Sequence, residues 1–159
     1  MTGQLLPLAA LAPVLIWVAL SDLREMRIPN RIVLITLAFF ALCAPFLGLH
    51  ELSLRLAAGA ITFLVGYVFF VLRAFGGGDV KFLAALMLFV PSAAMGEFLI
   101  AFSVALFAGS ALTMGLQSTP VATRLGPRLG WKSCYARGKL PMGVSIALAG
   151  LALPYLVGG

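Results

Sequence analysis

Side chains able to do acid–base chemistry are few in this sequence. There are five acidic residues, Asp22, Glu25, Glu51, Asp79 and Glu97, with one histidine, His50, and two cysteines, Cys43 and Cys134. Asp22 and Asp79 stand apart by their settings. Asp22 follows a long apolar run, within Ser21-Asp22-Leu23-Arg24-Glu25-Met26-Arg27-Ile28-Pro29-Asn30, and Asp79 precedes another, within Phe75-Gly76-Gly77-Gly78-Asp79-Val80-Lys81. Two carboxyls that meet at the edge of an apolar medium repel each other when both are ionised, so a proton is retained between them. Such a pair can take a proton from water and give one to a carbonyl oxygen, which is peptide hydrolysis by aspartates and needs no metal or other cofactor. Each acid also has a plainer reading, Asp79 as a helix N-cap and Asp22 as a solvated interfacial residue. Glu25, Glu51 and Glu97 are expected in solvated loops.

Other chemistries fit less well. His50 falls far along the chain from either aspartate and on the opposite side of an apolar run, which disfavours a serine-type mechanism. The cysteines form no CxxC pair, so neither a metal site nor a disulfide is expected. The three consecutive glycines can bring backbone close to a bound strand and let Asp79 move toward a partner, but the lysine and hydroxyl residue of a Walker loop are missing. The net charge of +6 raises the question of nucleic acid, yet the basic residues flank apolar runs, where they read as topology signals.

The elements that must position the aspartates are membrane helices. Hydrophobic residues make up 62% of the 159 and charged residues 10%, against about 25% charged in an ordinary soluble domain. Six apolar segments are expected to span, at 5–20, 32–49, 56–72, 82–95, 98–116 and 142–157. The first, with Pro7 and Pro13, is expected to be retained in the mature protein and bent or partly unwound at its outer end. Ten of the eleven Lys and Arg residues lie in the first, third and fifth connections, and only Arg55 lies in an even one. That asymmetry predicts an all-α, six-helix polytopic membrane bundle, with both termini outside and both aspartates at the cytoplasmic face. The whole chain, 1–159, is expected to form one integral-membrane domain, with 117–140 as a basic cytoplasmic loop. The fourth segment is short: Val90 lies eleven positions beyond Asp79, a rise of about 16 Å against a hydrocarbon core of about 30 Å, which draws Asp79 below the inner surface.

At these residues the sequence resembles the type IV prepilin peptidases. Their GxGD motif is matched by Gly76 to Asp79 and followed, as often in that family, by Lys81; Asp22 precedes Ile28-Pro29-Asn30 as the family's other aspartate precedes its Ile-Pro-Asn element. Leu140-Pro141-Met142-Gly143-Val144 is similar to the family's proline-glycine element at the start of the last span. The resemblance implies Asp22 and Asp79 as the catalytic pair. It implies supporting or substrate-binding roles for Gly76, Gly77, Gly78, Lys81, Pro29, Asn30, Pro141 and Gly143. The implied substrate is a prepilin, with a basic leader and a hydrophobic helix, cleaved after a glycine at the cytoplasmic face. The paired CxxC region that accompanies N-methylation in longer members is missing, so the likeness is to the short forms associated with Flp-type, tight-adherence pili, while archaeal preflagellin peptidases share the same core. Two rival readings remain: a transport or channel subunit with intramembrane carboxylates, and a non-catalytic scaffold for pilus assembly.

Overall fold

A computed structural model describes residues 2–117 and 142–158, built of helices with no strand among the described residues. The helices are α1 (Thr2–Ala10), α2 (Ala12–Glu25), α3 (Asn30–Cys43), α4 (Leu49–Val71), α5 (Gly77–Met87), α6 (Met95–Gln117) and α7 (Met142–Gly158). Single 3-10 turns, Ala44–Phe46 and Ser92–Ala94, follow α3 and precede α6. The first apolar segment is broken as expected: Pro13, in the first turn of α2, has no N–H to continue the ladder, and α1 ends one residue before α2 begins. The 117–140 loop and Pro141 fall outside the described residues apart from Gln117, which ends α6.

The short α5 is the centre of the molecule. Val80, Phe82 and the run Ala84 to Met87 are all buried, and so are Leu88 to Pro91 after the helix ends. A helix apolar on every side needs neighbours on every side, and α5 packs against α3, α4 and α7. Phe89 extends that core, with its ring stacked on Phe39 at 5.8 Å and edge-on to Phe40 at 5.5 Å. This corrects the boundaries expected for the fourth segment. The helix starts at Gly77, five residues before the apolar run, and stops at Met87, where the chain turns toward Pro91.

Glycines set how closely the helices approach. On α4, a Cβ at Gly59 would lie 2.6 Å from Leu88 Cδ2 and one at Gly66 2.7 Å from Val80 Cγ1, so two glycines seven residues apart seat α5. On α7, Gly143 and Gly150 do the same for α2: their Cβ atoms would lie 3.0 Å from Asp22 and 3.0 Å from Leu15 Cδ1. Small residues at helix seams are how apolar helices gain contact when lipid is the alternative solvent. Each aspartate-bearing helix is thus held antiparallel to a glycine-bearing one.

Among the described residues, two stretches are long and apolar enough to cross a bilayer, Leu49–Val71 and Ser92–Ala111. Their outer faces carry exposed Ile61, Leu64, Val68, Ile100 and Phe107, a surface far more apolar than water tolerates in one continuous patch. Beyond the C-terminal end of α5 sits a buried polar cluster. Arg55 is fully buried; its Nε donates to Glu51 Oε1 at 2.9 Å and its Nη1 to the Phe89 carbonyl at 3.2 Å. Glu51 also accepts the Ser92 N–H at 2.9 Å and the Ser92 hydroxyl at 2.6 Å. Glu51 and Arg55 therefore sit inside α4 and clamp the far end of the α5 chain; the solvated-loop expectation for Glu51 is corrected.

Candidate active site

Asp22 lies in the last turn of α2. The helix ends at Met26, whose backbone adopts the left-handed conformation (φ 54°) and whose N–H donates to the Asp22 carbonyl at 2.9 Å. The Asp22 side chain is 3% exposed. Its Oδ2 accepts the Val144 N–H at 3.2 Å, and the Gly143 N–H also donates to the carboxylate. These are donors of the first turn of α7, which have no partner within their own helix and carry its positive dipole end. The cradle needs a glycine: a Cβ on Gly143 would come within 3.0 Å of Asp22 Cβ, Cγ and Oδ2.

Asp79 is the third residue of α5. Gly76, extended at φ −74°, ψ 141°, caps the helix, and its N–H donates back to the Asp79 carboxylate in the manner of a capping box. The three glycines each face a different neighbour. A Cβ at Gly76 would strike Asp79 Oδ2, one at Gly77 would meet the Phe70 ring at 3.2 Å, and one at Gly78 would lie 2.8 Å from the Ile28 carbonyl oxygen. The motif is therefore spent on close packing: Gly77 and Gly78 are helical, and Gly78 presses α5 onto the Ile28-Pro29 link between α2 and α3. Pro29 caps α3, with Asn30 as its first residue.

The two carboxyls line one cavity of 670 Å³, with Met26, Arg73, Phe75, Gly76, Leu106, Ser110 and Met142 among its walls. Both lie outside the apolar stretches 5–20 and 82–95 that flank them. Burial raises the Asp79 pKa, the Asp22 charge raises it further, and the Gly76 N–H opposes both; the result is about 6 against an ordinary 3.8. Burial likewise raises Asp22, opposed by the Val144 and Gly143 N–H groups. Among the described residues no ion pair neutralises either aspartate. The arrangement sets two carboxyls, both with raised pKa values, beside a space large enough for water and a peptide segment.

Other residues singled out from the sequence are placed elsewhere. Lys81 Nζ donates to Asn30 Oδ1 at 3.4 Å, and both line a separate groove, so the structure does not bring them to the carboxyl pair. Glu25 is exposed. His50, near the start of α4, belongs to the Glu51 and Arg55 end. Among the described residues no cluster of three or more His, Cys, Asp or Glu side chains could hold a metal ion. Sequence reading missed Met26 and Arg73, the two non-glycine residues with positive φ among those described, and both line the cavity. Backbone held in this costly region concentrates at working sites, but only Met26, followed by a turn before Ile-Pro-Asn, carried any local hint.

The model of the type IV leader peptidase family matches residues 9–117, a stretch that includes both aspartates and the glycine run but ends before the α7 cradle. No curated protein and no solved structure is significantly similar to the chain.

Proposed function

The chain belongs to the type IV leader peptidase family, and from that premise we propose that it is a membrane aspartic endopeptidase of the GxGD type, with Asp22 and Asp79 as its catalytic pair. One carboxylate takes a proton from the attacking water while the protonated partner donates to the scissile carbonyl oxygen; the proton belongs to the pair, and the roles exchange as the amide breaks. The observation that carries this reading is that both carboxyls line one cavity and the charge on Asp22 raises the pKa of Asp79. The Val144 and Gly143 N–H groups hold Asp22 in place, so it needs no reorganisation during the reaction.

The substrate is a prepilin. In the finer reading it is of the Flp type, its basic leader stays in the cytoplasm, and cleavage follows a glycine at the inner face of the cytoplasmic membrane. The basic residues Arg24, Arg27, Arg31 and Arg73, in the helix ends and connections at the aspartate end, support that orientation. A six-span bundle follows if the apolar stretch 5–20, carried by α1 and α2, crosses as one broken span and the stretch 82–95, carried by α5 and the buried chain after it, crosses as the fourth inside the protein rather than against lipid. The whole chain is then one membrane domain with a cytoplasmic loop at 117–140.

Purified protein in liposomes is incubated with a prepilin and the products are sized by mass spectrometry. Cleavage by the wild type and its loss in both Asp22→Asn and Asp79→Asn are expected; undiminished cleavage by either variant removes that residue from the mechanism.

A further inference from the structure

The long helix α4 rests on α5 with an open groove on each side. The groove toward α3 has a volume of 620 Å³, is floored by Ala84, Ala85 and Leu88, and ends at Lys81 and Asn30. The groove toward α6 has a volume of 490 Å³ and is floored by Leu83 and Met87. Both are apolar, but only the second adjoins the carboxyl cavity. Phe75, in the link that carries the glycine motif, lines both that groove and the carboxyl cavity. Helix α6 gives a second, independent sign of continuity. Met95, Phe98, Leu99 and Phe102 line the groove, and Leu106 and Ser110 line the cavity. Steps of three and four residues put all six on one helical face, a stripe that passes without a break from the groove to the carboxyls.

We infer that the groove between α4 and α6 is the seat of the substrate's hydrophobic helix, entering sideways from the bilayer with its N-terminal end at Phe75. The inference rests on the leader-peptidase reading and adds where the helical part of the substrate docks. From Ala58 to Phe69, the α4 wall runs about 16 Å, enough for about three turns of a docked helix. The leader then turns through the cavity past Asp79, and the segment that must unwind for hydrolysis lies beside Phe75. Exposed Leu99, Val65 and Ile61 on the groove walls are apolar side chains that a helix of the same character would cover. The α3 groove shares no lining residue with the carboxyl cavity, so a helix seated there would meet Lys81 before it met an aspartate.

The test places a photo-crosslinking amino acid at Leu99, and separately at Leu34 in the other groove, in full-length Asp79→Asn protein in liposomes with a prepilin. A prepilin adduct at Leu99 and none at Leu34 is expected, and the adduct maps to the first turns of the substrate's hydrophobic helix. Adducts at Leu34 alone, at both positions equally, or only to lipid while the wild type cleaves the same prepilin, each overturn the groove. As a second readout, Leu99→Trp raises KM for the prepilin by about tenfold and leaves kcat within about twofold; an unchanged KM overturns the assignment. Failure of the wild type to cleave any prepilin is a different result, since it removes the underlying peptidase reading before docking arises.

Discussion

The two ends of the α5 segment bury charge in opposite ways. At one end Arg55 and Glu51 meet at 2.9 Å, and Ser92 and the Phe89 carbonyl take up further hydrogen bonds. At the other, Asp22 and Asp79 share a cavity as like charges, with backbone N–H groups as their support. Opposite charges that neutralise each other lock a geometry and have little left to give a substrate. Like charges leave a proton in dispute, which can be moved during a reaction. The first arrangement anchors α5; the second uses the helix so anchored.

The largest expected effects separate these roles. Asn at Asp22 or Asp79 removes a proton donor or acceptor and lowers cleavage by roughly a hundred- to ten-thousand-fold, while the melting temperature in detergent stays level or rises because a buried like charge has gone. Glu51→Ala does the reverse. It leaves Arg55 buried without its counter-ion, a loss of about 3–5 kcal/mol, while cleavage per folded molecule persists. A Glu51→Ala protein that melts like the wild type would erase the distinction between anchor and site.

A finer version compares two glycines on the same seam. Gly143→Ala places a methyl against Asp22 Cβ, Cγ and Oδ2, where nothing can yield without moving the carboxylate. A displacement of that kind costs cleavage up to about a hundredfold. Gly150→Ala, one repeat further along α7, meets only the ends of apolar side chains, Leu15 Cδ1 at 3.0 Å and Leu86 Cδ2 at 3.4 Å, and no carboxyl. It costs about 1–3 kcal/mol of stability and leaves cleavage intact. Equal kinetic effects of the two substitutions would show that the seam acts by packing alone.

How far the sequence disclosed all this follows from which forces are local. Long uniform apolar runs show α4, α6 and α7 within a few residues, except that α4 starts at Leu49 because charge was read as loop. Glu51 and Arg55 stand four apart, the spacing of a helical ion pair, and that signal outranked their polarity. The limits of α5 were not legible, because tertiary burial and Pro91 decide them. The aspartates were legible from their flanking residues. The Gly143 and Val144 cradle was not, since it joins residues 122 apart. Nor was the separation of Lys81 from the pair: two residues beyond Asp79 on a helix, it faces a different groove.

A smaller effect tests whether the proton in dispute is confined to the aspartate end. A folded-state pKa of about 6 for Asp79, above its ordinary 3.8, means the folded protein binds this proton more tightly than the unfolded chain. The resulting stabilisation is complete below 3.8 and is lost as pH rises through about 6. Melting temperature should therefore fall over that window. In Asp22→Asn the fall should move to lower pH, because the charge that helps to raise Asp79 is gone. In the free wild-type enzyme the alkaline limb of kcat/KM should show a midpoint at about 6. A limb unrelated to this proton, or a melting profile that Asp22→Asn leaves in place, would contradict the coupling.

The smallest effect concerns backbone strain, which is also unevenly placed. At the aspartate end Met26 holds φ 54° beside Asp22, a conformation that suits glycine, whereas Gly48, before α4 at the Arg55 end, holds an ordinary extended φ of −63° with open space around it. Met26→Gly relieves the left-handed strain and should stabilise the fold by about 1 kcal/mol. Gly48→Ser restricts the unfolded chain and adds a capping hydroxyl, for about 0.5–1 kcal/mol. Equal gains in stability should have unequal consequences. The Met26 variant loosens the turn that fixes Asp22 and strips a wall from the carboxyl cavity, so its cleavage falls several-fold, while Gly48→Ser cleaves as the wild type does. If both stabilised proteins cleave alike, the strain at Met26 serves only to end α2.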